Sequence, residues 1–170
     1  MAITLPPAAA ADSYCDIATA DAYLLTRLNV TAWDAASDAE KEAALKTATR
    51  RLDSEDWKGI KTDVVADNSL RWPRSLVQNS DGQELPSDSV PTNIVNATAE
   101  LALDLIKAAA DESSTAATAP TSEIAVGPIK LKLDTDKEVE GASTVELSGD
   151  VETLIEPFRN STLMGSLVRA

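Results

Sequence analysis

A mainly α fold, a small helical bundle with a short β-hairpin and extended terminal arms, is predicted by three features of the sequence. Hydrophobic residues make up 44% of the chain but aromatics only 4%, with alanine abundant, so the core calls for closely packed helices bearing small side chains. Four stretches repeat apolar residues at helical spacing, the longest between Pro91 and Asp111. One stretch, Ile129 to Leu133, instead alternates apolar residues with lysine, the period of a strand. A length of 170 residues supports one core with appendages. The expected organisation is an N-terminal arm at 1–12, a helical bundle at 13–111, a linker and hairpin at 112–150, and a C-terminal helix and docking tail at 151–170.

Met1 to Ala11 is apolar and alanine-rich, but it carries Pro6-Pro7 and no preceding basic residue, which makes it a poor signal peptide and suggests an extended arm. Asp16 stands where a cap would satisfy the free backbone N–H groups of a first helix. Ile17, Ala20, Tyr23, Leu24, Leu25 and Leu28 then recur at helical spacing, and Asn29, which tolerates the left-handed conformation, is placed to end it. Ser37 and Glu40 form a capping box, so a second helix starts near Asp38. Its stripe of Ala44, Leu45, Ala48 and Leu52 is narrow, and Arg50 and Arg51 complement the partial negative charge of its C-terminal end.

The following stretch is the structural hub. Asp53, Glu55 and Asp56 precede Trp57 and Gly59, where a turn is expected, and after a polar loop the chain reads Leu70-Arg71-Trp72-Pro73-Arg74. Proline fixes its own dihedral and pushes Trp72 toward an extended conformation, which holds the indole and both arginines in a defined direction. Two readings arise for Trp57, Arg71, Trp72 and Arg74. They suit a stacking platform for single-stranded nucleic acid, with indoles for bases and guanidinium groups for phosphates. They equally suit a clamp in which the rings are buried and the arginines bind the acids at Asp53 to Asp56, the reading preferred here because an indole contributes most when buried.

Asp81-Gly82 marks a turn, and Pro91 sits where the first turn of a third, central helix accepts proline. That helix should carry Ile94, Val95, Leu101, Leu105 and Ile106 on its broad face and end near Asp111. Glu112 to Ser122, without periodicity, reads as a linker. The strand around Ile129 to Leu133 is expected to pair with Val145 to Leu147 across an acidic loop. Asp150 is placed to cap a last helix with Val151, Leu154, Ile155 and Phe158 on its apolar face, limited by Pro157. The tail keeps Leu163, Met164, Leu167 and Val168, which a short terminal segment cannot easily bury alone, so they are candidate docking residues for a partner.

Charge and composition narrow the functional classes. The chain has no histidine and one cysteine, Cys15, which removes an imidazole base, the usual zinc sites and an intrachain disulfide. Phosphate-loop, dinucleotide and nucleophile-elbow motifs are absent from the sequence, and no enzyme activity or cofactor is expected. Asp134, Asp136 and Glu138 invite a calcium-loop reading, but Val139 stands where the loop needs glycine and Val145 where it needs glutamate. No run approaches the roughly 18 apolar residues of a membrane span. A formal net charge of -13 disfavours a surface that grips nucleic acid through phosphate contacts.

The ordered series Ser13-Tyr14, Ala20 to Tyr23, Trp33, Ala48 to Asp53, Trp57-Lys58-Gly59, Leu70 to Arg74, Asp81-Gly82 and Val90-Pro91 resembles a tailed-phage family, with an echo at Val126 to Lys130. Its members are commonly labelled DnaT-like single-stranded-DNA-binding protein, and the family looks like the head-to-tail connector, or adaptor, proteins. The resemblance implies a helical-bundle protomer assembled as a homo-oligomeric ring, typically of twelve copies. The ring would lie in the virion neck below the portal protein, with a downstream tail or neck protein beneath it, after assembly in the host cytoplasm. Genomic DNA would pass through its channel without specific binding. On that reading Asp134, Asp136, Glu138 and Glu140 are candidate channel-lining residues, because an acidic wall repels DNA. The label itself supplies the alternative, a single-stranded-DNA-binding module of a phage replication protein.

Overall fold

The computed structural model describes residues 3–62, 69–116, 123–126, 129–132 and 147–160. The protein is mainly α with small two-stranded sheets, as its alanine-rich composition predicts. In chain order the helices are α1 (Ile17–Leu24), α2 (Thr31–Ala35), α3 (Asp38–Asp53), α4 (Thr92–Ala116) and α5 (Gly149–Ile155). Strands β1 (Ile60–Lys61) and β2 (Arg74–Ser75) pair antiparallel between α3 and α4, and β3 (Glu123–Val126) pairs antiparallel with β4 (Ile129–Lys132).

The organising element is α4. Every residue from Ala97 to Leu103 is buried, so this part of the helix is enclosed on all sides rather than along one stripe. α3 packs along it most extensively, α1 and α2 cover other sides, and α5 closes the remaining one. The alanines at 97, 99 and 102 permit this close approach, while Ile94, Leu101 and Leu103 fill the space between helices. Sequence periodicity points to one broad face; the small residues between its large ones are what allow a helix on the other faces as well.

One carboxylate enters this core. Glu100 is only 4% exposed, and it accepts from the Tyr23 hydroxyl at 2.8 Å and pairs with Arg27 Nε at 2.6 Å. Arg27 also reaches Asp150 on α5, so one guanidinium ties the turn after α1 to two further helices. A buried carboxylate needs such partners because desolvation would otherwise cost several kcal/mol. Trp33 of α2 is anchored similarly, its Nε1 donating to Asp21 at 2.7 Å while Lys41 lies 5.1 Å from the ring centre.

Several elements match the residues that predict them. Asp16 caps α1 by accepting from Thr19 N at 2.8 Å, and both halves of the Ser37–Glu40 capping box form on α3; Asn29 adopts the left-handed φ 60° but lies beyond the end of α1 and does not terminate it. Others differ. α1 ends at Leu24, four residues early, because the chain turns there, and this leaves Leu25 and Leu28 at 84% and 88% exposure instead of on a buried face. Residues 3–12 fold back rather than extending as an arm: Asp12 N donates to Thr4 O, Thr4 N donates to the Asp12 carboxylate, and Ala11 is buried. α4 runs to Ala116, past the expected end at Asp111. Ile129–Lys132 pairs with Glu123–Val126, just upstream in sequence; of its expected partner Val145 to Leu147, residues 145 and 146 lie outside the described residues. α5 begins at Gly149 with Ser148 at its cap, and Asp150 lies in its first turn.

Candidate functional site

The predicted hub residues Trp57, Gly59, Arg71, Trp72, Pro73 and Arg74 converge between the end of α3 and the β1–β2 ribbon. The two indoles meet edge to face with centroids 5.7 Å apart, and Phe158 meets Trp72 in the same way at 5.9 Å. Trp72 is fully buried, Trp57 is 3% exposed and Phe158 2%. The third ring arrives from the far end of the chain, carried by the short 3-10 turn Glu156–Phe158 that follows α5.

Backbone hydrogen bonds fasten that turn: Lys58 N donates to Phe158 O at 2.8 Å, and Asn160 N to Asp56 O at 2.9 Å. Arg159 pairs with the Glu55 carboxylate at 2.9 Å. On the other side Asp53 receives the Tyr14 hydroxyl and the backbone N–H of Arg71, and Trp72 N donates to the Tyr14 oxygen. The Trp72–Pro73 peptide is cis.

The arginines are held differently from the expectation that they bind Asp53, Glu55 and Asp56. Arg74 donates to carbonyl oxygens of Lys58 and Gly59 at 2.7 Å each and to those of Trp57 and Arg71 at 3.3 Å. Arg71 donates its guanidinium to the Glu55 carbonyl at 3.4 Å, while the Glu55 carboxylate goes to Arg159. The physical reason is the tight turn at Gly59, which presents carbonyls to Arg74, while Asp53 and Glu55 are taken by Tyr14, the Arg71 backbone N–H and Arg159. A guanidinium with five donors is suited to such a cluster. Tyr14 and Arg159 belong to this hub although the sequence gives no local signal for them, whereas Phe158, expected on the apolar face of the last helix, is buried as that spacing predicts.

Burial also shapes the chemistry of Tyr14 and Cys15. Desolvation, with Asp16 nearby, pushes the Cys15 thiol up to about 12 from its ordinary 9.0, and desolvation together with Asp53 raises the Tyr14 hydroxyl. Both groups therefore stabilise the fold fully below their ordinary values, and that contribution is lost as pH climbs above about 9, where the unfolded chain releases protons that the folded chain retains. Native protein at pH 8 is expected to leave Cys15 unmodified by an alkylating reagent and to react fully in denaturant, as read by intact mass. Rapid labelling of the folded protein would contradict the buried position.

Two apolar surfaces are open to solvent, one away from the hub and one beside it. An open groove of about 530 Å³ between α2, α3 and α4 is lined chiefly by Ala35, Ala43, Ala44, Leu105, Ile106 and Ala109, with Glu40 as the charged residue in its lining. At the other end of α3, Ile60 and Leu76 are 61% and 65% exposed. Among the described residues there is no cluster of three or more carboxylates or thiols arranged to hold a metal, and no helix long and apolar enough to cross a membrane. The candidate docking residues Leu163, Met164, Leu167 and Val168, and the candidate channel residues Asp134, Asp136, Glu138 and Glu140, lie outside the described residues.

The arrangement defines a small helical domain whose aromatic cluster is a clamp rather than an open site. A family model with the description "Putative DnaT-like ssDNA binding protein" matches residues 4–170, and the chain belongs to that family. Neither the curated proteins nor the solved structures contain a match to it.

Proposed function

We propose that this protein is a structural virion component, a head-to-tail adaptor that forms a ring below the portal and lines part of the DNA channel. The observation that carries this reading is the state of the hub. The groups that would stack and hold nucleic acid are sealed or engaged, with Trp72 fully buried and Arg74 bound to four carbonyl oxygens. A net charge of -13 makes the whole chain repel phosphate, a property useful in a channel wall and adverse in a DNA grip. From Asp134 to Glu156 there are eight acids against one lysine, Lys137, which gives that stretch the composition of a non-adhesive lining. On this reading the protein carries out no catalysis and needs no cofactor. Its partners are further copies of itself, the portal and the next tail protein, with terminal residues such as Leu163 and Leu167 docking. Native mass measurement and negative-stain images of the protein mixed with portal test it: rings or portal-bound copies are expected, and monomers alone would defeat the proposal.

A second reading, single-stranded-DNA binding, is favoured by the description of the family. Titration of a fluorescent oligonucleotide separates the two. The adaptor reading expects no saturable binding at micromolar protein in physiological salt. An affinity of micromolar or better that weakens steeply with salt would favour the second reading, because such a slope reports phosphate contacts.

A further inference from the structure

The groove between α2, α3 and α4 has room for side chains larger than those of its walls. Seven of its eleven lining residues are alanine, beside Leu105 and Ile106. The charged residues next to it are engaged within the chain: Glu40 closes the α3 capping box, Lys41 pairs with Asp21 at 3.3 Å, Lys46 with Asp12 at 2.7 Å and Lys107 with Asp104 at 3.9 Å. A charge brought in by an occupant would find no free counterpart among them, and its desolvation would go uncompensated. The groove therefore suits an uncharged apolar segment.

The sequence holds one. Charged residues make up 25% of the chain, yet Asn160 to Val168 has none and includes Leu163, Met164, Leu167 and Val168. Of the other stretches outside the described residues, 63–68 and 133–146 carry acids, and 117–122 has no large apolar residue. Leu163 and Leu167, and likewise Met164 and Val168, stand four residues apart, the spacing of neighbours on one helix face.

The segment also starts in a suitable place. A row at helical spacing, Glu40, Ala44, Thr47 and Arg51, leads along α3 from the groove toward Glu55, just past the helix end. Glu55 is the residue that holds Arg159 at 2.9 Å, and Asn160 N donates to Asp56 O at the same distance. At 1.5 Å per residue the groove's lining on α3 lies about 9–20 Å back from the helix end. Leu167, seven residues beyond Asn160, has an extended reach of about 23–25 Å, which brings it into the groove.

We infer that Leu163 to Val168 dock in the alanine-lined groove of their own chain. Large apolar side chains entering it remove surface from water on both sides. The covalent link keeps the segment at high local concentration beside its own groove, ahead of a second copy. On the adaptor reading the same residues serve a partner, so the contact covers them until that partner draws them out. That consequence rests on the adaptor reading; the docking itself does not.

Hydrogen exchange read by mass spectrometry tests this on the full chain, beside the variants Ala43→Glu and Leu167→Asp. Ala43 is exposed, and circular dichroism verifies that each variant folds. Amides of residues 161–168 should exchange at least about tenfold more slowly in the wild type than in either variant, at every protein concentration. Under mild oxidation Ala43→Cys with Leu167→Cys in one chain should form an intrachain disulfide, whereas a mixture of the two single variants should not cross-link. Exchange at the free-peptide rate in the wild type would overturn the inference, and protection that survives in both variants would remove the groove from it. Protection that grows with concentration, or cross-linking in the mixture, would put the segment on a second copy and overturn it as well. Protection that appears only with portal present would overturn the docking and leave the adaptor reading in place. The adaptor reading fails separately, on monomers with portal and without.

Discussion

Replacing Trp72 by alanine is expected to lower the stability of the fold by about 3–5 kcal/mol, the range for deleting a large aromatic from a core that collapses only partly. Trp72 is fully buried and is the ring that both Trp57 and Phe158 meet edge-on, so its removal leaves each without its aromatic neighbour. It would also loosen Phe158, and with it the turn that holds α5 to the end of α3. Urea unfolding followed by far-UV circular dichroism gives the loss directly. The neighbouring substitution Arg71→Ala serves as the control: that side chain is exposed and makes one long contact to a carbonyl, so its effect should stay within about 1 kcal/mol. The same pair distinguishes the two readings of the hub. A stacking platform predicts that Trp72→Ala leaves stability nearly unchanged and abolishes oligonucleotide binding, whereas a clamp predicts the reverse weighting.

Local chemistry was legible where it is set by residues close in sequence. The Ser37–Glu40 box and the Asp16 cap are contacts over three residues, and both form. The burial of Trp57 and Trp72 was readable because a proline and a glycine beside them restrict the backbone. What escaped depends on distant partners. Tyr14 joins Asp53 across 39 positions with no local periodicity, and Phe158, whose burial its helical spacing predicts, meets a partner, Trp72, that its own segment cannot name. The β1–β2 ribbon is two residues per strand, too short to register as alternation. Leu25 and Leu28 illustrate the opposite failure, since their helical spacing was real as a pattern but the helix stopped before reaching them. The destination of Arg74 was missed because opposite charges in a sequence suggest ion pairs, while a tight turn offers carbonyls that no composition reveals.

The turn itself can be tested at Gly59. This residue has φ 74°, and a Cβ there would lie 2.2 Å from Ser75 O and 2.6 Å from Val77 Cγ2. The first of these is a backbone atom of β2 and cannot rotate away, so Gly59→Ala should separate the ribbon strands and cost about 3 kcal/mol or more, the sum of left-handed strain and a steric clash in a packed region. Gly82→Ala isolates the first term. Gly82 has nearly the same dihedral, φ 76°, but an added Cβ meets nothing within 4 Å, so only the conformational strain of about 1–2 kcal/mol remains. The difference between the two variants in urea midpoint measures the close approach alone. If both lose the same amount, Gly59 is present for its dihedral and the ribbon is not held by packing. If Gly59→Ala loses more, the ribbon is fixed by contact. The substitution should then also disturb the carbonyl cluster that binds Arg74 and shift Leu76.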